Sequence, residues 1–220
     1  WVACAIICAL RSAGIRTGAY KPVCSGAEYD ESGTPIWADA QALCDALGTD
    51  ADPGRVAPQR FRAPLAPPLA AEQEQRSVDP ILLRTGADWW QGRVDVLIVE
   101  GAGGLLSPLT DSTTNLELAR ELGYPVVVVA ANRLGTVNHS LLTLQTLRRH
   151  ELPVAAVVLN DVLPQSDLSA SSNAVLLSRF APGVRMGNLD HGASSIRTRE
   201  GGWSGLDWFN MASPPVGDRK

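Results

Sequence analysis

Three runs of apolar, mainly β-branched residues set the frame for this chain: V-D-V-L-I-V (94–99), P-V-V-V-V-A-A (125–131) and V-A-A-V-V-L (154–159). None alternates apolar with polar residues, so each reads as a parallel strand buried on both faces rather than as a half-solvated antiparallel one. Helix-like segments separate or follow them at 114–122, 138–150 and 170–180. Strand and helix in alternation predict an α/β sheet with parallel strands and right-handed crossovers. Upstream, the Ala-rich stretch 1–13 predicts a buried helix that stops at Gly14, residues 17–20 a short strand cut off by Pro22, and 39–48 an amphipathic helix closed by Gly48. Between 52 and 80 the prolines are dense enough to predict an excursion or lid without regular structure in its first half. After Gly183 the strand–helix pattern fades into Gly, Ser and Arg apart from a short candidate helix at 206–212.

With 220 residues and 45% hydrophobic content the chain can bury one sizeable core, which predicts a single α/β domain over 1–212 and a frayed tail at 213–220. The formal net charge of −4, with basic residues scattered along the chain, argues against a nucleic-acid-binding face. Cys4, Cys8, Cys24 and Cys44 contain no C-x-x-C pair, so a reducing, cytoplasmic setting is expected rather than a disulfide framework or zinc site. No apolar run approaches the roughly 18–20 residues of a membrane helix, and no basic leader opens the chain.

In open α/β sheets ligands bind beyond the carboxyl ends of the strands, so the residues that follow each run carry the chemical information. After the first comes V-E-G-A-G-G (99–104): Glu100 stands at the strand tip, placed to hold Mg²⁺, and the glycines let backbone N–H groups reach phosphate oxygens. A plain Gly-rich turn with a solvated carboxylate has the same sequence. Lys21 is the only lysine besides Lys220 in a chain that otherwise uses arginine, which points to a specific need for a compact ammonium, or to chance. Ser25 and Gly26 follow within a turn. The segment L-G-T-V-N-H (134–139) precedes a helix and offers free N–H donors to a carboxylate or phosphate, although Thr136 or Asn138 acting as an ordinary N-cap fits equally. Asn160-Asp161 ends the third run, where an amide can read a nucleobase edge or simply make a turn. Acids at 39 and 100 with a base at 21 suit metal-assisted phosphoryl chemistry, and no G-x-S-x-G elbow or H-E-x-x-H helix is present.

Taken together, Y-K-P-V-C-S-G (20–26), W-A-D-A-Q-A-L (37–43), V-E-G-A-G-G (99–104), P-V-V-V-V-A-A-N-R-L-G-T-V-N-H (125–139) and V-V-L-N-D-V (157–162) resemble, in order and spacing, the dethiobiotin synthetase family over about residues 1–192. The Pro-rich 61–74 segment resembles the family's substrate-bordering loop. The resemblance implies a P-loop NTPase-like three-layer α/β sandwich with a mainly parallel sheet and a homodimeric enzyme. It also implies a reaction in which ATP drives carboxylation of 7,8-diaminopelargonate by CO₂ and closure of a ureido ring. By the same resemblance Lys21 is the active-site lysine and Ser25 a substrate contact. Asp39 and Glu100 are the Mg²⁺-associated acids, and Gly101, Ala102 and Gly103 the nucleotide contact after the strand. Asn160 and Asp161 match the adenine site, Asp190, His191 and Gly192 a late nucleotide loop without its usual proline, and Gly135, Thr136, Val137 and Asn138 the helix start that receives the substrate carboxylate across the dimer interface.

The family begins with a strand and a Gly-rich phosphate loop ahead of the helix that here opens at Trp1. Their absence from this sequence, with Trp in place of Met at residue 1, leads to the expectation of an inactive piece of a full enzyme, or of a relative that has lost catalysis. The alternatives in view are a regulatory P-loop module, an amidotransferase-type synthase acting on cobyrinic acid, and a ParA/MinD-like ATPase.

Overall fold

The computed structural model describes residues 1–48, 51–165, 168–198 and 206–212. Two compact units divide the chain, one formed by Ile7–Leu122 with Trp1 and Ala3, the other by Gly123–Lys220 with Val2 and Cys4–Ile6.

Helix α1 (Val2–Ser12) ends as the sequence predicts. Gly14 takes φ +79°, its N–H bonds Arg11 O at 2.9 Å, and the Ile15 N–H reaches back to Leu10 O at 3.0 Å, a Schellman closure that needs a residue free of a Cβ. In the first unit β1 (Thr17–Tyr20) is followed by β2 (Val23–Ser25), a small hairpin of β3 (Glu28–Tyr29) and β4 (Pro35–Ile36), and α2 (Ala38–Leu47). Then come α3 (Pro53–Val56), β5 (Gln59–Phe61), α4 (Pro67–Gln73), α5 (Pro80–Thr85), β6 (Val96–Val99) and α6 (Asn115–Leu122). β1 pairs with β6 and β2 with β5, both parallel.

The Pro-rich stretch is therefore not the structureless excursion predicted from its composition. Pro53, Pro67 and Pro80 stand in the first turns of α3, α4 and α5, where a missing N–H costs nothing. The Asp52 and Asp79 carboxylates accept from Gly54 N and Ile81 N, both at 2.8 Å, and so start α3 and α5. The proline-free triplet Gln59–Phe61 is left to pair with β2. Phe61, Ala70 and Ala71 are fully buried and form one core cluster with Val23, Val78, Leu83, Leu109 and Leu118.

The second unit carries β7 (Val126–Ala131), α7 (Thr136–Arg149), β8 (Val154–Asn160), α8 (Ala170–Phe180), β9 (Met186–Leu189), β10 (Arg197–Thr198) and α9 (Trp208–Ala212). Its sheet runs β10-β9-β8-β7, parallel except for β10. β9 corrects the expectation that regular structure stops at Gly183. Its M-G-N-L sequence has no strand signature, and it forms because β8 offers it a ladder. Burial on both faces holds for β8, whose Ala156, Val157 and Val158 are inaccessible. It fails for β6 and β7, each of which pairs on one side only among the described residues; Val129 of β7 is 51% exposed. The tail at 213–220 lies outside the described residues.

Candidate active site

The parallel register of β1 and β6 sets Tyr20 opposite Val99, so the next residues, Lys21 and Glu100, emerge side by side at the strand ends. The backbone holds both: Glu100 N–H donates to Tyr20 O at 2.9 Å and Lys21 N–H to Val56 O at 2.7 Å. The Lys21 side chain is buried, and its Nζ lies 2.6 Å from Glu100 Oε1, 2.9 Å from Asp39 Oδ2 and 3.3 Å from Gly101 O. Asp39 arrives on the first turn of α2, whose start is anchored by Trp37 Nε1 donating to Phe61 O at 2.8 Å. Burial by itself pushes the Lys21 ammonium toward its neutral form. Attraction to, and hydrogen bonds donated to, Glu100 and then Asp39 outweigh it, and the pKa stands above its ordinary value. Lys21 is thus a fixed cation at neutral pH, in contact with two acids of unequal exposure, 63% for Asp39 and 31% for Glu100.

Next to this cluster, Cys24 is buried on β2. Desolvation raises its thiol to about 11 against the opposing pull of Lys21, so it is a packed neutral group at physiological pH and no nucleophile. Ser25 ends β2, and its Oγ donates to Leu65 O at 2.7 Å, which ties the Pro-rich segment to the strand and leaves the hydroxyl's lone pairs open to a donor.

The 101–104 loop after Glu100 is tightly held. Asn115, the first residue of α6, accepts from Ala102 N at 3.2 Å and donates to Ala102 O and Gly104 O, each at 2.8 Å. Ser107 Oγ accepts from Gly104 N at 2.9 Å. Among the described residues this leaves the Gly101 and Gly103 N–H groups for a ligand anion. Neither Asn115 nor Ser107 is singled out by the sequence: Asn115 reaches the loop across eleven and thirteen residues, a separation with no periodic signature, and Ser107, three residues after Gly104, is one serine among many.

The second unit presents two further groups of candidate residues. Helix α7 begins at Thr136, two residues earlier than expected, with Gly135 at its N-cap in the left-handed region (φ +94°) and no side chain capping it. The N-cap alternative for Thr136 and Asn138 is thereby removed. Thr136 is buried, Val137 half-buried, and Asn138 exposed. At the carboxyl ends of β7, β8 and β9, Asn160 sits beside Asp161, whose Oδ1 accepts from Asn132 Nδ2 at 2.7 Å and Oδ2 from Asn188 Nδ2 at 3.1 Å. Asn188 also donates to Asp190 Oδ1 at 2.7 Å, and Arg197 pairs with the same carboxylate. Asn173 on α8 completes the chain by donating to Asn132 Oδ1 at 3.0 Å. Asp161 and Asp190 therefore act as the knots of an amide network, with Asn160 the residue of this group that ends the ladder. His191 and Gly192 follow in an exposed turn, with Gly192 at φ +69°.

Two carboxylates around one ammonium fit a hard divalent cation of the Mg²⁺ type. Each spends a single oxygen on Lys21 in the described contacts, and such ions bind through one or two carboxylates while keeping water and substrate phosphate as remaining ligands. Among the described residues there is no cluster of three or more His, Cys, Asp or Glu of the kind that forms an all-protein metal cage.

The AAA domain family model matches residues 2–195. The chain is 41% identical over 202 residues to the ATP-dependent dethiobiotin synthetase BioD of Caulobacter vibrioides (strain NA1000 / CB15N), covering 87% of this chain and 89% of that protein. To BioD of Anaeromyxobacter dehalogenans (strain 2CP-C) it is 43% identical over 179 residues, covering 81% and 78%. To BioD of Rhodopirellula baltica it is 38% identical over 181 residues, covering 78% and 71%.

Proposed function

This chain belongs to the dethiobiotin synthetase family, ATP-dependent ligases of biotin synthesis with a P-loop NTPase-like α/β fold, and from that premise we propose how its residues divide the work. The acceptor is 7,8-diaminopelargonate. One amine adds to CO₂ to give a carbamate and loses a proton; a carbamate oxygen attacks the γ-phosphorus of ATP, releasing ADP. The second amine then attacks the carbamoyl carbon of the mixed anhydride, and inorganic phosphate leaves as the ring closes.

The observation that carries this reading is the buried Lys21 ammonium, held between Glu100 and Asp39 and kept protonated at neutral pH. Both the carbamate and the transferring phosphoryl group are anionic, and charge moves onto oxygens during both steps. A preorganised ammonium in a water-poor position stabilises that charge without reorganising. All three Nζ–H groups are engaged, by Glu100, Asp39 and Gly101 O, so substrate displaces one acceptor. Asp39, the more exposed acid, is the one to yield. Asp39 and Glu100 would hold Mg²⁺, which would supply neutralisation of the nucleotide's phosphate charge. Gly101 and Gly103 N–H groups, with Ala102 between them, contact the nucleotide phosphates, and Asn160 and Asp161, with Asp190, His191 and Gly192, form the adenine side.

Ser25 Oγ accepts from a substrate amine while its own O–H stays donated to Leu65 O. The substrate's far carboxylate is received at Gly135, Thr136, Val137 and Asn138 of a second copy in a homodimer, where the uncapped start of a 14-residue helix offers N–H groups and the positive end of its dipole. We place the enzyme in the cytoplasm; no helix among the described residues is long and apolar enough to cross a membrane.

The test is incorporation of ¹⁴CO₂. With Mg·ATP and diaminopelargonate, this chain joined to the family's first strand and Gly-rich phosphate loop ahead of Trp1 is expected to yield acid-stable label that co-migrates with dethiobiotin, in stoichiometry with phosphate release. Binding of Mg·ATP without labelled product overturns the substrate assignment.

A further inference from the structure

Glycine at 101 has a reason in this structure besides ligand access. A Cβ built on Gly101 would lie 2.3 Å from Asn115 Oδ1 and 3.0 Å from Asn115 Cγ, so the Asn115 carboxamide occupies the space that any other residue at 101 needs. That carboxamide cannot easily swing away, because the start of α6 is fixed by a capping box. Glu117 Oε2 accepts from Thr114 N at 2.8 Å and also from the Thr114 hydroxyl, while Thr114 Oγ1 accepts from Leu116 N at 3.1 Å. Asn115 N–H is itself bonded to Ser107 O at 3.2 Å. Its side chain then fills the concave side of the loop, taking up the Ala102 N–H and the Ala102 and Gly104 carbonyls. The carbonyl of Gly101, one residue away, is the third acceptor on Lys21 Nζ.

We propose that Asn115 is the positioning residue of the nucleotide loop: its carboxamide sets the conformation of residues 101–104, aims the Gly101 carbonyl at Lys21 and turns the remaining N–H groups toward the phosphates of ATP. This rests on the reading of Gly101 and Gly103 as nucleotide contacts given above. Three hydrogen bonds to the backbone of residues 102 and 104, with a longer fourth to Ser107 O at 3.5 Å, make the carboxamide a template that neither an apolar side chain nor a carboxylate replaces. Asp at 115 keeps the acceptor for Ala102 N but turns an anion toward two carbonyl oxygens.

The experiment is a double-mutant cycle of Gly101→Ala and Asn115→Ala in the intact protein, read by KM for ATP, KM for the diamine, and amide hydrogen exchange at 101–104. Asn115→Ala is expected to raise KM for ATP about tenfold or more, to leave KM for the diamine in place and to speed exchange of the Ala102 amide. Asn115→Asp does the same. Gly101→Ala alone is expected to be the more damaging single change, and the double variant no worse than Gly101→Ala, since the clash disappears with the side chain that causes it. Effects that multiply in the double variant, or an Asn115→Ala protein with unchanged KM for ATP and unchanged exchange, overturn the proposal. Absence of dethiobiotin formation by the wild type condemns the functional reading instead, and the exchange data still decide whether Asn115 holds the loop.

Discussion

Lys21 was legible from composition as an isolated ammonium in an arginine-using chain, and its partners follow from one register, that of β1 against β6. What the sequence could not carry is the third dimension of that cluster: the approach of Asp39 from α2, and the burial that makes the charge useful. The chemistry asks for a compact cation, so Lys21→Arg is expected to lower kcat on the order of a hundredfold or more despite conserving charge, because a planar guanidinium cannot reproduce three convergent Nζ contacts in the same volume. Steady-state rates decide this, and an Arg variant within a factor of three of wild type sinks the point-charge argument. The same burial has a pH signature. Tyr20, fully buried next to Lys21, is held protonated far above its usual range, by desolvation first and then by Asp79 and Asp88, while its hydroxyl donates to Leu82 O at 2.6 Å. Both groups have folded-state pKa values above their unfolded ones, so the stability they contribute is complete below about pH 10 and is lost as pH rises beyond it, where the unfolded chain gives up protons that the folded one keeps. Urea denaturation is expected to show a midpoint that falls steeply above pH 10 in wild type and less steeply in Tyr20→Phe; identical slopes would remove Tyr20 from the account.

At the scale of elements, the strands that read clearly are those whose own composition specifies them, β6, β7 and β8, together with β1 at 17–20, and the helices α1, α2, α6, α7, α8 and α9 fall within two residues of expectation. β5 and β9 were invisible because three or four residues of mixed polarity become strands only through the ladder that a neighbour offers. The proline count misled for a related reason: what matters is position, and the pairs Asp52-Pro53 and Asp79-Pro80 were helix-start signals hidden in a composition that looked like a loop. Packing between elements is similarly specific at Gly18 of β1. A Cβ there meets Trp90 Cε3 at 2.5 Å, and the ring, 8% exposed and edge-on to Trp89, belongs to the core rather than to a flexible surface. Gly18→Ala is expected to cost about 1–3 kcal/mol through overpacking, visible as a lowered Tm in thermal denaturation. No change in Tm would mean that the indole moves aside without loss.

For the molecule as a whole, the proposal that Lys21 and the α7 start serve one reaction goes with the proposed homodimer, in which the carboxylate seat would be lent by the opposite subunit. Leu134, just ahead of α7, and Leu142, midway along it, are 82% and 55% exposed, apolar area of the kind that the proposed second copy would cover. The arrangement makes a prediction that a monomeric site cannot meet. Lys21→Met removes the ammonium, and Asn138→Glu sets an anion in the carboxylate seat at an exposed position where the helix dipole tolerates an acid, so each variant alone is expected to be inactive but folded. In a mixed dimer one site collects both defects and the other neither. Co-expression in equal amounts then gives half the dimers as heterodimers with one intact site each, and about a quarter of the wild-type rate returns. Activity that stays at the level of the single variants, in a sample shown by differential tags to contain heterodimers, would place lysine and carboxylate seat in the same subunit and with that end the shared-site reading.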